Sequence, residues 1–226
     1  HVITELTIRS NPSLVNLNGL NGLKEVGILG SGAGDFNLVF NDALESLEGL
    51  NSLVSVFSSF KMSENPSLTD LTALSDLEYI GSKLIITENN ALQTLSGLQN
   101  LNFCGGIQFG NNPSLSDISD LTNADLRAIE IGTCNSLINL IGLEGAIHVG
   151  DLKIANNDAL VSLEGLNNLE QIVSFFQIDY NKALTSLEAL SNLQTVGYEI
   201  HIYGNDALNS LEGLNSLTTI TSPGEP

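Results

Sequence analysis

The stretch Leu152–Val173, LKIANNDALVSLEGLNNLEQIV, decides the fold. It opens with two apolar residues two apart, Leu152 and Ile154, and passes an asparagine at Asn157. It then sets Leu160, Leu163, Leu166, Leu169 and Ile172 at steps of three. Apolar residues two apart turn to the same face of a short strand. The step of three is too regular for a loop and too short for a two-turn amphipathic helix. It suits tight corners or single 3₁₀-like turns, in which side chains at i and i+3 eclipse. The same pattern can be read about nine times along the 226 residues, with the leucine after the asparagine recurring from Leu14 to Leu208 at intervals of 22 to 24 residues after a longer first step. A period of this length means that each copy buries its apolar face against its neighbours.

The prediction is therefore a repeat solenoid: a parallel β-helix of about nine coils, with short strands and tight 3₁₀-like corners. Strand pairs run from Leu6/Ile8 through Phe60/Met62 and Ile107/Phe109 to Ile200/Ile202. At about 4.8 Å per coil the rod is on the order of 40 Å long. Residues 1–222 read as a single solenoid domain and 223–226 as a linker or tail, because Pro223 and Pro226 cannot donate to a sheet ladder. Val2 fits the last apolar position of a missing coil, so the chain reads as a piece of a longer one. Each buried Leu or Ile contributes about 1.5–3 kcal/mol before chain entropy is subtracted, so the leucines need no functional explanation.

Asn157, Asn181 and Asn205 head a ladder that runs back to Asn11, always three residues before the leucine, with Cys134 replacing asparagine once. A buried amide can satisfy turn backbone groups and its stacked neighbours, which assigns the ladder a structural role. Glycine or alanine at Gly19, Gly49, Ala73, Gly97, Gly142, Gly165, Ala189 and Gly213 marks a close-packed corner. Cys104 and Cys134 fall on inward positions at different corners and read as two buried free thiols, since Cα atoms more than about 7 Å apart cannot be bridged.

Two irregularities interrupt the repeat. An insertion loop at 27–35, with Gly30-Ser31-Gly32-Ala33-Gly34-Asp35, leads into a strand and not a helix, which disfavours a phosphate cradle and leaves a protruding contact point. Between Asn123 and Ile129 the coil is short and Arg127 stands near a position usually held by Val or Ile, so a local kink is expected there.

The formal net charge of −19, from 26 acidic and 7 basic residues, argues against nucleic acid, since phosphate binding needs clustered Lys and Arg. It argues equally against anionic membranes, and no apolar run is long enough for membrane insertion. Few Lys and Arg, abundant Asn and Ser and no Trp fit an extracellular or cell-surface setting. His1, His148 and His201 are scattered over different coils, and no Ser/His/Asp grouping, HExxH or CxxC occurs, so no catalytic residue is nominated.

Two columns of outward residues are candidates for binding. Glu164, Glu188 and Glu212 take the same repeat position in three coils and are a weak metal candidate, with calcium the possible ion. A solvated face is the simpler reading, because calcium needs six to eight converging oxygens. The better ligand surface joins Phe175, Gln177, Asp179 and Tyr180 to Tyr198, His201 and Tyr203 on the next coil, with Val39, Phe40 and Ile85 as a lesser apolar group. Aromatics on a rigid sheet are favoured contacts for proteins and sugars.

The pattern LxIxxNxxLxxLxGLxxLxxV resembles the receptor L-domain branch of the leucine-rich repeat proteins, and especially bacterial cell-surface versions carrying NDALxSLEGL. Here that motif stands at Asn41–Leu50, Asn157–Leu166 and Asn205–Leu214. The likeness covers essentially the whole chain. It departs from the common leucine-rich repeat in having two residues between the asparagine and the next leucine. The resemblance implies a right-handed solenoid used for binding or adhesion outside the cell, with no catalytic residues to carry over. The expected function is a non-catalytic recognition or adhesion module for a surface protein or glycan. The alternatives are an ice-binding solenoid, suggested by Asn167-Asn168, Ser191-Asn192 and Asn215-Ser216, or a structural stalk.

Overall fold

A computed structural model, which describes residues 5–30 and 34–221, shows the chain wound into a parallel β-solenoid. Val2, the tip of the insertion loop at 31–33 and the tail at 223–226 lie outside the described residues. Nine strands stack along one side: Leu6–Arg9, Phe36–Val39, Phe60–Ser63, Tyr79–Thr87, Phe103–Gly110, Ile129–Gly132, Leu152–Ala155, Phe175–Asp179 and Glu199–Tyr203. The intervals between them make about eight turns, one fewer than the nine coils expected. All pairings among the described strands are parallel, and Leu152 sits between Ile129 and Phe176, and Ile154 between Ile131 and Ile178.

The inward alternation is as the sequence predicts. Leu152 and Ile154 are fully buried while Lys153 and Ala155 are half-exposed. Inside the rod Phe36 and Phe60 stack with ring centroids 4.6 Å apart. The steps of three arise because the leucine N–H groups reach back three residues: Leu160 donates to Asn157, Leu166 to Leu163, and Leu169 to Leu166. These are single turns that never propagate, and no α-helix occurs among the described residues.

The corner residue decides which turn forms. Gly49, Gly97, Gly142, Gly165 and Gly213 hold φ between 107 and 116°, and a Cβ at Gly165 would run into the Leu140 carbonyl oxygen. Where an L-residue stands instead, at Ala73, Asp120 and Ala189, the corner becomes a short 3₁₀ helix: Thr72–Leu74, Ser119–Leu121 and Glu188–Leu190.

A second set of short strands passes through the last apolar position of each repeat. Glu25–Val26, Ser55–Val56 and Asp125–Leu126 join the large sheet, while His148–Val149, Gln171–Ile172, Thr195–Val196 and Thr219–Ile220 form a four-stranded sheet. This corrects the reading of Arg127. Leu126 pairs with Cys104 and is buried, while Arg127 points to solvent and pairs with Asp125 at 2.6 Å. Nor does the sheet break there, since Ile107–Gly110 and Ile129–Gly132 pair without interruption. The register shift lies one coil earlier, between Ile80 and Lys83.

The asparagine ladder closes the turn after each strand. Asn157 donates both its main-chain N–H and its Nδ2 to Asn181 Oδ1, each at 3.1 Å, and Asn181 repeats this on Asn205 at 3.0 and 3.3 Å. Asn157 Nδ2 also reaches the Ile131 carbonyl at 3.2 Å. The residue before the ladder position is left-handed in every coil, with φ of 54–60° at Ser10, Phe40, Glu64, Glu88, Asn111, Thr133, Asn156 and Tyr180, and 67° at Gly204. A left-handed residue turns the chain away from the sheet, and the asparagine amide then takes up the carbonyls this bend frees.

Candidate functional site

Register places the outward residues of the sheet in columns that run across the strands, along the rod. One column reads Thr7, Asn37, Lys61, Ile85, Gln108, Glu130, Lys153, Gln177, His201, and the next reads Arg9, Val39, Ser63, Thr87, Gly110, Gly132, Ala155, Asp179, Tyr203. Four of the seven basic residues, Arg9, Lys61, Lys83 and Lys153, lie on this face. Its charge is thus more balanced than that of the other sides of an acidic rod.

The seven nominated residues do share one surface, arranged as two aromatic pairs with a polar strip between them. At one edge Phe175 and Tyr198 tilt together with centroids 4.8 Å apart, and Lys153 Nζ lies 5.5 Å from the Phe175 ring centre. At the other edge Tyr180 and Tyr203 meet edge to face at 5.1 Å. Tyr180 also packs over Gly204, where a Cβ would approach Tyr180 Cδ1 to 2.6 Å. Tyr203 is 64% exposed, Tyr180 46% and Tyr198 45%.

Between the pairs, His201 Nε2 lies 2.6 Å from Glu199 Oε1, and this hydrogen bond pushes the imidazole pKa up. Desolvation of its hydroxyl, then the neighbouring Tyr203 and the Asp179 carboxylate, push the Tyr180 phenol up as well. Asp179 differs from the expectation of an outward, accessible carboxylate. It is only 8% exposed, accepts a hydrogen bond from Gln177 Nε2 on Oδ2 at 2.6 Å, and keeps Oδ1 buried without a partner.

No family model, curated protein or solved structure matches the chain. What this surface can do is therefore argued from its geometry.

The other nominated groups separate. Glu164, Glu188 and Glu212 stand as exposed carboxylates whose main-chain N–H groups bond Ser162, Ser186 and Ser210. Among the described residues no three His, Cys, Asp or Glu side chains gather as a cation site. Val39 is buried and Phe40 sits under the Arg9 guanidinium at 5.1 Å, so the lesser apolar group is partly covered. Asn168 and Asn192 donate to the Glu144 and Asn167 carbonyls of the preceding coil, which ties down the polar columns considered for ice. The insertion loop is pinched at its base, because a Cβ on Gly34 would collide with the Gly27 Cα.

Sequence reasoning missed a groove. Beside the aromatic surface, a slot of about 380 Å³ runs over Gly110, Gly132 and Ala155, walled by Gln108, Glu130, Lys153 and Gln177 on one side. A larger hollow of about 670 Å³ in the first described turn is lined by Leu14, Leu17 and Leu20, and no charged residue lines it.

Proposed function

We propose that the protein is a non-catalytic recognition or adhesion module of the receptor L-domain and leucine-rich-repeat kind, acting outside the cell and binding a surface protein or glycan through its wide sheet. The observation that carries this reading is the pair of exposed aromatic couples, Phe175–Tyr198 and Tyr180–Tyr203, held 4.8 and 5.1 Å apart on hydrogen-bonded strands with Gln177 and His201 between them. Aromatic rings on a rigid frame lose little entropy on binding and offer large apolar area with polar tips. Nothing in the repeat requires tyrosine at these places: the Tyr203 column otherwise carries Arg9, Val39, Ser63, Thr87, Gly110, Gly132, Ala155 and Asp179, and at the Tyr180 position Phe40 is the one other aromatic residue.

The test is a glycan and surface-protein array probed with the native chain and with a Tyr180→Ala/Tyr203→Ala variant. The expected result is a ligand whose signal falls at least tenfold in the variant while the melting temperature stays within a few degrees. An empty array would favour the stalk. Thermal hysteresis in dilute solution, unaffected by the tyrosine changes, would favour ice adsorption.

A further inference from the structure

Asparagine followed by glycine occurs twice in the chain, at Asn18-Gly19 and Asn21-Gly22, and both fall in one corner of the first described coil. All four residues are exposed. An asparagine can modify itself where the next main-chain nitrogen reaches its side-chain carbonyl carbon, and glycine, lacking a Cβ, hinders that approach least.

The build of the corner separates the two. In four glycine corners the residue two positions on caps the glycine. Asn21, Asn51 and Asn167 accept the N–H of Gly19, Gly49 and Gly165 on Oδ1 at 3.2, 3.1 and 3.1 Å, and Glu144 Oε2 accepts that of Gly142 at 2.9 Å. The caps Asn51 and Asn167 are followed by Ser52 and Asn168, but Asn21 is followed by Gly22. The backbone does not demand that glycine: its φ is not positive, and a Cβ there would meet no atom within 4 Å. Its N–H has no hydrogen-bond acceptor among the described residues. Asn18-Gly19 is held more firmly. The Gly19 N–H is bound to Asn21 Oδ1, Gly19 is fixed at φ 117°, and the Asn18 N–H is bound to Asn16 Oδ1 at 3.1 Å. The side chain that restrains the first Asn-Gly pair thus belongs to the second.

We propose that Asn21 is a site of spontaneous deamidation and that its conversion releases Asn18 to react after it. The Gly22 nitrogen attacks Asn21 Cγ. The N–Cγ bond forms as the Cγ–Nδ2 bond breaks, and the Gly22 proton passes through solvent to Nδ2, which leaves as ammonia. Water then opens the resulting succinimide, giving its hydroxyl to the carbonyl carbon and a proton back to the Gly22 nitrogen. Opening at Cγ leaves aspartate at position 21. Opening at the main-chain carbonyl carbon leaves isoaspartate, in which the main chain runs through Cβ and Cγ and is one methylene longer.

That methylene enters between two turns, in which Leu20 donates to the Leu17 carbonyl at 3.1 Å and Leu23 to the Leu20 carbonyl at 2.8 Å. It carries the cap away from the Gly19 N–H. The change stays in the first coil, since coils couple only to their neighbours and the Leu6–Arg9 strand lies at the end of the sheet order. The ladder asparagines are spared: Asn157 and Asn181 are buried and are followed by Asp158 and Lys182.

The experiment incubates the native chain in neutral buffer made with heavy-oxygen water and follows its peptides by mass spectrometry, which reads the lost nitrogen and the labelled oxygen gained. Asn21 should convert at least tenfold faster than Asn18, Asn51 and Asn167. In concentrated urea the two Asn-Gly pairs should convert at similar rates, and a difference that persists there overturns the role of the fold. Gly22→Ser, which copies Asn51-Ser52 and has room for its side chain, should slow conversion of Asn21 at least tenfold with the melting temperature unchanged. Asn21→Ala, which removes the cap, should speed Asn18 severalfold. Folded-state conversion of Asn18 as fast as that of Asn21, or of Asn21 no faster than that of Asn51, overturns the site. A rate at Asn18 that Asn21→Ala leaves unmoved overturns the second step.

Discussion

At the scale of single residues, Cys134 shows what the asparagine ladder does. It keeps one half of the ladder, since its N–H donates to Asn157 Oδ1 at 2.9 Å, but it has no amide to serve the preceding coil. Asn112 therefore meets a thiol where its counterparts meet a carbonyl oxygen. Burial pushes the Cys134 pKa up to about 11, with hydrogen bonding from Asn112 opposing the rise, and burial likewise pushes Cys104 up to about 11. Both are acids with raised folded pKa values, so above the ordinary thiol value of 9.0 the unfolded chain gives up protons that the folded chain retains. Stability then falls as pH rises, by about 1.4 kcal/mol per thiol at pH 10. Cys134→Asn should raise stability near pH 7 by about 1 kcal/mol through the restored hydrogen bonds, and should also remove its share of the alkaline loss. Urea titrations at pH 7 and pH 10 measure both. A variant less stable than the native chain at pH 7 would show that the sulfur fits its coil better than an amide does.

At the scale of elements, the corners and strands differ in how openly the sequence declares them. Inward pairs such as Leu152/Ile154 are legible because apolar character alternates with polar neighbours, and burial enforces that alternation. The second row of strands, through Val149, Ile172 and Val196, is not legible as sheet because each copy shows only one apolar residue there and the pairing is wholly between coils. Asp120 escaped notice as a corner because it is neither glycine nor alanine, although the backbone treats it as it treats Ala73 and Ala189. The aromatic surface could be read because Phe175, Tyr180, Tyr198 and Tyr203 are rare residue types in this chain. The slot could not, because its signal is missing side chains, and the burial of Asp179 arises from the winding of the coils and leaves no mark in the local sequence.

The corner rule gives an asymmetric prediction. Gly165→Ala forces a residue with a Cβ against the Leu140 carbonyl, and the turn must change to the 3₁₀ form seen at Ala189, at about 1–2 kcal/mol. Ala189→Gly asks for no new backbone and should cost less than about 1 kcal/mol, mainly through unfolded-chain entropy. Urea midpoints of the two variants decide it, and equal losses would mean that the glycine turn carries no preference of its own.

At the scale of the whole molecule, each coil touches only the coils before and after it, so stability is close to a sum of coil terms and interfaces between neighbours. A whole repeat can then be removed if the cut preserves register. Deleting Asp158–Asn181 joins Asn157 to Lys182, and Asn157 takes over the place of Asn181 beneath Asn205. Deleting Asp42–Asn65 does the same at the other end by joining Asn41 to Pro66, with Asn41 taking the place of Asn65 beneath Asn89. Both deletions remove 24 of 226 residues. Both should leave a folded, cooperative solenoid with a urea m-value lower by about a tenth, because m follows the surface buried. They should differ in function. The first removes Phe175, Gln177, Asp179 and Tyr180 and should abolish ligand binding, whereas the second leaves the aromatic pairs and the slot intact and should preserve it. Circular dichroism and urea melts check the fold, and the array checks binding. A cooperative, folded chain lacking Asp158–Asn181 that still binds would move the function to another face of the rod.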